Sequence, residues 1–124
     1  MDSVQLGRVQ FRIMRVLWDL GRANAREITE ALNKVEPLAH STVQTLLRQL
    51  EAKGAVGHEV QDRTFIFVPR LDEEQVKRVA ARDLLERVFA GRVGDLVAHL
   101  LKHERLGRDE INELRRLIDR KRKD

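Results

Sequence analysis

Hydrophobic periodicity switches from helical to strand-like at a single glycine, Gly54, and returns to helical after Pro69. Before Gly54, Val43, Leu46, Leu47 and Leu50 stand at i, i+3, i+4 and i+7, which puts them on one face of a helix over residues 41–53. After it, residues 55–60 and 64–68 are rich in β-branched and aromatic side chains. The polar Gln61, Asp62 and Arg63 separate the two runs, and Pro69 ends the second. With helical spacing on both sides, the chain is predicted to be mainly α with one small β-hairpin.

Two more helices precede this junction. Over 7–20, Val9, Ile13, Val16, Leu17 and Leu20 make a stripe that Met14 and Trp18 widen, and Gly21 sits where a C-cap belongs. Over 25–34, Asn24 is placed as N-cap and Ile28, Ala31 and Leu32 face inward, before Pro37 breaks the chain. Ser41 with Gln44 matches a capping box for the third helix, although Ala39 or His40 could start it instead.

Three helices followed by a hairpin form the winged variant of helix-turn-helix. In that arrangement the third helix enters the major groove, the second lies across the backbone, and the hairpin is the wing. The polar face of the third helix carries Ser41, Thr42, Gln44, Thr45, Arg48 and Gln49. Uncharged hydrogen-bonding groups with a single Arg suit base edges, whereas an ordinary solvated face alternates Glu and Lys. Arg48 can bond guanine bidentately or grip a phosphate, and Gln44 and Gln49 can pair with adenine edges. Ser41, Thr42 and Thr45 suit phosphate oxygens or a thymine methyl. Arg63 at the wing tip reaches a phosphate or the minor groove. The competing reading is a winged helix that docks a protein and reads no sequence.

The organisation expected is a winged-helix DNA-binding domain over 1–70 and a three-helix dimerisation domain over 71–124. In the second, helices are predicted over 72–89, 95–103 and 109–122. Gly91 and Gly94 bracket one joint and Gly107 marks the next. The first of these helices turns Val76, Val79, Ala80, Leu84, Val88 and their neighbours Leu85 and Phe89 inward. The second carries Leu96, Val97, Leu100 and Leu101, and the third Ile111, Leu114, Leu117 and Ile118. A segment of roughly 50 residues is marginal alone. Two-fold pairing with a second copy through Leu84, Leu85, Val88, Phe89 and the eight residues just named covers these stripes. The alternative is a monomer in which they fold back on the first half.

Several classes of chemistry are excluded. With no cysteine there is no disulfide, thiolate zinc site or Cys nucleophile. No nucleophile–base set, phosphate loop or paired-carboxylate pattern is present, so no enzyme, catalytic residue or cofactor is expected. His99 and His103 stand four apart on one helix face, but two ligands are an incomplete site and no metal is expected. His40 and His58 read as isolated surface residues. Net charge is +4, shared equally between residues 1–70 and 71–124, so charge favours an anionic partner without singling out either half. Arg115, Arg116, Arg120, Lys121, Arg122 and Lys123 form a basic tail that suits a helix C-terminus. The apolar runs are far short of a membrane span, and residues 1–5 lack an export pattern, so no membrane insertion is expected and the cytoplasm is the expected location.

Four segments together resemble the penicillinase-repressor family, which includes the β-lactamase and methicillin-resistance repressors and the copper-responsive repressors. They are Ile13-Met14-Arg15-Val16-Leu17-Trp18, Ala25-Arg26-Glu27-Ile28, residues 41–47 with Leu50-Glu51-Ala52-Lys53-Gly54, and residues 83–91. The resemblance spans roughly residues 6–121. It implies a homodimer with an N-terminal winged helix and a C-terminal three-helix dimerisation region. It also implies binding to a two-fold symmetric operator and repression of nearby genes. By position, base and phosphate reading falls on Ser41, Thr42, Gln44, Thr45 and Gln49, with the wing near Arg63. In the β-lactam branch a membrane sensor with a zinc protease domain triggers cleavage early in the dimerisation region, which weakens the dimer. Here Gly91-Arg92-Val93 replaces that branch's Gly-Asn-Phe-like stretch, and the cysteine pairs of the copper branch are absent.

Overall fold

The computed structural model describes residues 5–124; residues 1–4, part of the stretch read as lacking an export pattern, lie outside the described residues. The elements in order are α1 (Arg8–Leu20), β1 (Ala23–Asn24), α2 (Ala25–Asn33), α3 (His40–Ala52), β2 (Val56–Gln61), β3 (Thr64–Pro69), α4 (Glu73–Phe89), α5 (Val93–His103) and α6 (Arg108–Lys123). Two compact units are formed, one ending at Ala80 and the other beginning at Ala81.

The first unit is a winged helix built around an aliphatic core. α1 supplies Ile13, Met14 and Leu17, α2 supplies Ile28 and Leu32, and α3 supplies Val43, Leu47 and Leu50, joined by Ala55, Val56 and Phe67 from the sheet side. Each helix commits residues three or four apart, as a 3.6-residue period requires. Leu20, assigned to the α1 stripe, lies outside this core and is 53% exposed. It is the last residue of α1, next to the Gly21 cap.

Local chemistry sets the element ends. Gly21 at φ 82° caps α1 with its N–H on Leu17 O at 2.7 Å. Asn24 Oδ1 accepts from Glu27 N and Glu27 Oε1 accepts from Asn24 N, both at 2.8 Å, a reciprocal capping box for α2. α3 begins at His40, one of the alternative starts, two residues before the Thr42 that a Ser41 N-cap implies. Ala39 is its extended N-cap and contributes no side-chain bond, so that capping box is absent. After Pro37 the chain is already extended, and His40 can enter the first turn directly.

The sheet has three strands in the order β1-β3-β2, all antiparallel. β1 pairs Ala23 with Phe67 and Asn24 with Ile66. It has no sequence signature, because two residues cannot show alternation and neither Ala nor Asn favours strands. The hairpin tip is two residues rather than three, since Gln61 pairs with Thr64. Asp62 and Arg63 take φ of 49° and 67°. Two successive left-handed residues make the tight turn whose twist matches the flanking strands.

In the second unit α5 starts at Val93, so Gly94 lies inside its first turn and does not mark the joint. The break falls on Ala90 and Gly91, at φ 54° and 78°. The Phe89 ring meets His99 edge-on with centroids 5.8 Å apart. The expected apolar stripes are present, but most are uncovered in the single chain. Leu85 is buried, and Phe89, Leu96 and Leu114 are half-buried. Val79, Leu84, Val88, Val97, Leu100, Leu101, Ile111, Leu117 and Ile118 are exposed, Ile118 at 58%. No helix among the described residues is long and apolar enough to cross a membrane.

Candidate nucleic-acid interface

α3 divides cleanly into two faces. Val43, Leu47 and Leu50 are essentially inaccessible, whereas Ser41, Thr42, Gln44, Thr45, Arg48 and Gln49 are all exposed. Ser41, Gln44, Thr45 and Arg48 follow i, i+3, i+4, i+7 spacing and form one stripe, flanked by Thr42 and Gln49 on the next row. Within the stripe, Thr45 Oγ1 donates to Ser41 O at 3.1 Å and accepts from Arg48 Nη2 at 3.2 Å. The Thr45 hydroxyl is thereby used internally. Arg48 forms no ion pair among the described residues, so its charge is available to an anion.

The turn leading into α3 is held by side chains that sequence reasoning passed over. His40 Nδ1 lies 3.0 Å from Thr29 Oγ1, a buried hydroxyl that also donates to Ala25 O. Asn33 Oδ1 accepts from Leu38 N at 2.9 Å, and the Arg12 guanidinium donates to the carbonyls of Leu32 and Glu36 at the end of α2. His40 is exposed, as expected of a surface residue, but it is not isolated, since its ring joins the first residue of α3 to α2. The signal available in the sequence was the polar Thr29 on an otherwise apolar helix face.

His58 is likewise engaged. Its Nδ1 stands 2.7 Å from Glu51 Oε2, and its ring stacks on Phe65 at 3.9 Å, which ties β2 to the last turn of α3. Arg22, just before β1, pairs with Glu59 on β2 at 3.1 Å. Arg63 sits exposed at the hairpin apex in the left-handed region, where glycine is the usual occupant.

Gln49 is not a free reader. Its Oε1 accepts from Gln10 Nε2 at 3.1 Å, and Lys53 Nζ reaches Gln10 Oε1 at 2.8 Å and Gln5 O at 2.7 Å. His99 and His103 approach with centroids 4.4 Å apart, but among the described residues no cluster of three or more His, Asp or Glu could hold a metal ion. The twelve apolar residues proposed for pairing fall on α4, α5 and α6, away from α3 in sequence.

The penicillinase repressor family model matches residues 6–120. The chain belongs to this family. It is 30% identical over 115 residues to the penicillinase repressor of Bacillus licheniformis, covering 93% of this chain and 90% of that one. It is 24% identical over 119 residues to the methicillin resistance regulatory protein MecI of Staphylococcus aureus (strain N315), covering 96% and 97%. Among solved structures it is similar to the DNA-binding domain of the repressor BlaI, with a TM-score of 0.53 and 30% identity over 58% of this chain and 88% of that one. A second similar structure is the monomeric form of Bacillus licheniformis BlaI in complex with the blaP half-operator, at a TM-score of 0.52 and 30% identity over 59% and 89%. Like the relatives so named, this penicillinase repressor family member is a regulator and not an enzyme.

Proposed function

We propose that this penicillinase repressor family member is a dimeric transcriptional repressor that reads a two-fold symmetric operator through α3 in the major groove. The observation that carries the reading is the exposed stripe of Ser41, Gln44, Thr45 and Arg48 on a helix whose opposite face buries Val43, Leu47 and Leu50 and half-buries Leu46. A similar protein in complex with an operator half-site supports DNA as the partner. Arg48 and Gln44 take base edges, Ser41 and Thr42 the phosphates or a thymine methyl, and Arg63 a phosphate beside the wing.

Residues 1–70 would supply the binding surface and 71–124 the dimer, through the exposed apolar residues of α4, α5 and α6. Those stripes cost free energy when left in water, and two-fold pairing removes them from it. Two half-sites held by one dimer raise occupancy well beyond that of a single head. Any event that weakens the C-terminal pairing lowers operator occupancy without touching α3. Cleavage by a sensor protease would be one such event.

The test is binding of the purified protein to its own upstream DNA, by fluorescence anisotropy over a salt series with scrambled duplex as competitor. Tight binding that falls steeply with salt and that scrambled DNA fails to match is expected. Equal and weak binding to both duplexes would contradict the reading.

A further inference from the structure

We propose that Gln10, on α1, is a specificity-determining positioning residue: it holds the Gln49 amide so that only its NH2 group faces the DNA groove. This rests on the reading of α3 as the groove-facing helix.

Gln10 is one of two buried polar side chains among the described residues, 7% exposed. Two groups address its Oε1, the Gly7 backbone N–H at 2.9 Å and Lys53 Nζ at 2.8 Å. A backbone amide and an ammonium can only donate. The atom between them must therefore be the carbonyl oxygen, because the reverse orientation would set an NH2 against two donors. That places Gln10 Nε2 on the far side, 3.1 Å from the Gln49 amide. Nε2 is itself a donor only, so the Gln49 atom facing it must be Oε1. Two groups that cannot be assigned otherwise fix both amides in turn.

Capping α1 explains only half of this. The cap needs Gln10 Oε1 on Gly7 N–H, but the bond from Nε2 spans 39 residues and does nothing for the end of α1. Its effect is on Gln49, whose acceptor is turned inward and whose NH2 is left outward. Bidentate pairing with adenine requires a donor and an acceptor from one amide. Gln49 held this way presents its NH2 as the outward group, with Oε1 turned to Gln10 and out of line for a bidentate pair. It selects a groove acceptor such as guanine O6 or N7 or thymine O4, and not the N6 amino group of adenine. The adenine-reading role open to both glutamines on sequence grounds is thus left to Gln44, which has no side-chain partner among the described residues.

Gln10→Glu reverses the arrangement. A carboxylate still accepts from Gly7 and Lys53 but presents an acceptor to Gln49, which must turn its amide over and send Oε1 outward. The experiment is selection of bound sequences from a randomised duplex library by the full-length wild type, Gln10→Glu and Gln49→Ala. One position in each half-site is expected to change from guanine or thymine, whose major-groove atoms only accept, in the wild type to adenine or cytosine, which carry an amino donor, in Gln10→Glu. The preference there, about threefold to tenfold from one hydrogen bond, should vanish in Gln49→Ala. An identical consensus for wild type and Gln10→Glu, or a wild type that requires adenine at that position, overturns the inference while leaving α3 as the reading helix. No enriched sequence for the wild type overturns the α3 reading and this inference with it. If Gln10→Glu fails to fold by circular dichroism, the wild type is measured on duplexes whose selected base lacks its groove acceptor. A loss of the same size supports the inference, and unchanged affinity overturns it.

Discussion

The winged-helix unit and the C-terminal helices spend comparable apolar content in opposite ways. In the first, twelve residues from three helices and the sheet close into one core, and Ile13, Met14, Leu17, Ile28, Val43 and Leu50 are fully buried. In the second, α4 beyond Ala80, α5 and α6 bury only Leu85 and leave Val88, Leu101, Leu117 and Ile118 exposed. The difference teaches where each kind of information resides. A unit with a closed core can present a rigid polar face. The open stripes of the C-terminal helices are what the proposed two-fold pairing would cover, and so where operator occupancy would be controlled.

The contrast is broken most strongly at Ile118. In the single chain Ile118 is 58% exposed, so Ile118→Asp should cost the isolated chain little and the dimer a great deal. Sedimentation should give the monomer mass, and operator affinity should fall by about 10²- to 10⁴-fold through lost bivalency. Leu47→Ala is the converse. It opens a cavity in the closed core and should cost about 2–5 kcal/mol in thermal or denaturant unfolding of the first unit, with dimer mass retained.

Smaller changes sharpen the comparison within the first unit. Arg48→Ala should weaken operator binding by about 1–3 kcal/mol if it reads a base, with no change in unfolding midpoint or dimer mass. Asn24→Ala removes a capping box and should lower stability by about 1 kcal/mol. Arg63→Gly should stabilise the hairpin slightly, by less than about 1 kcal/mol, because Asp-Gly fits the left-handed turn. The same change should lower the salt slope of DNA binding by about one ion. A slope left unchanged by Arg63→Gly would remove the wing tip from the interface.

The legible features were those carried by periodicity. The stripes of α1, α2 and α3, the hairpin and the six polar residues of α3 follow from spacing alone, since one buried face implies an exposed opposite face. What stayed hidden depends on contacts distant in sequence. β1 exists only because β3 offers it an edge, and His40 acquires a role only when Thr29 comes alongside. Gln10 has one local partner, Gly7, which it caps, but its other partners Gln49 and Lys53 lie 39 and 43 residues away. The apolar residues of α4, α5 and α6 were legible as stripes, but periodicity does not say what covers a stripe.

The most direct test of the division between reading and pairing is affinity for a duplex carrying both half-sites against one carrying a single half-site, for the wild type and Ile118→Asp. The account predicts that the wild type prefers the two-half-site duplex by about 10²- to 10⁴-fold, and that Ile118→Asp binds both duplexes alike, at the wild type's half-site affinity. An Ile118→Asp protein that retains the wild-type affinity for the two-half-site duplex would contradict it.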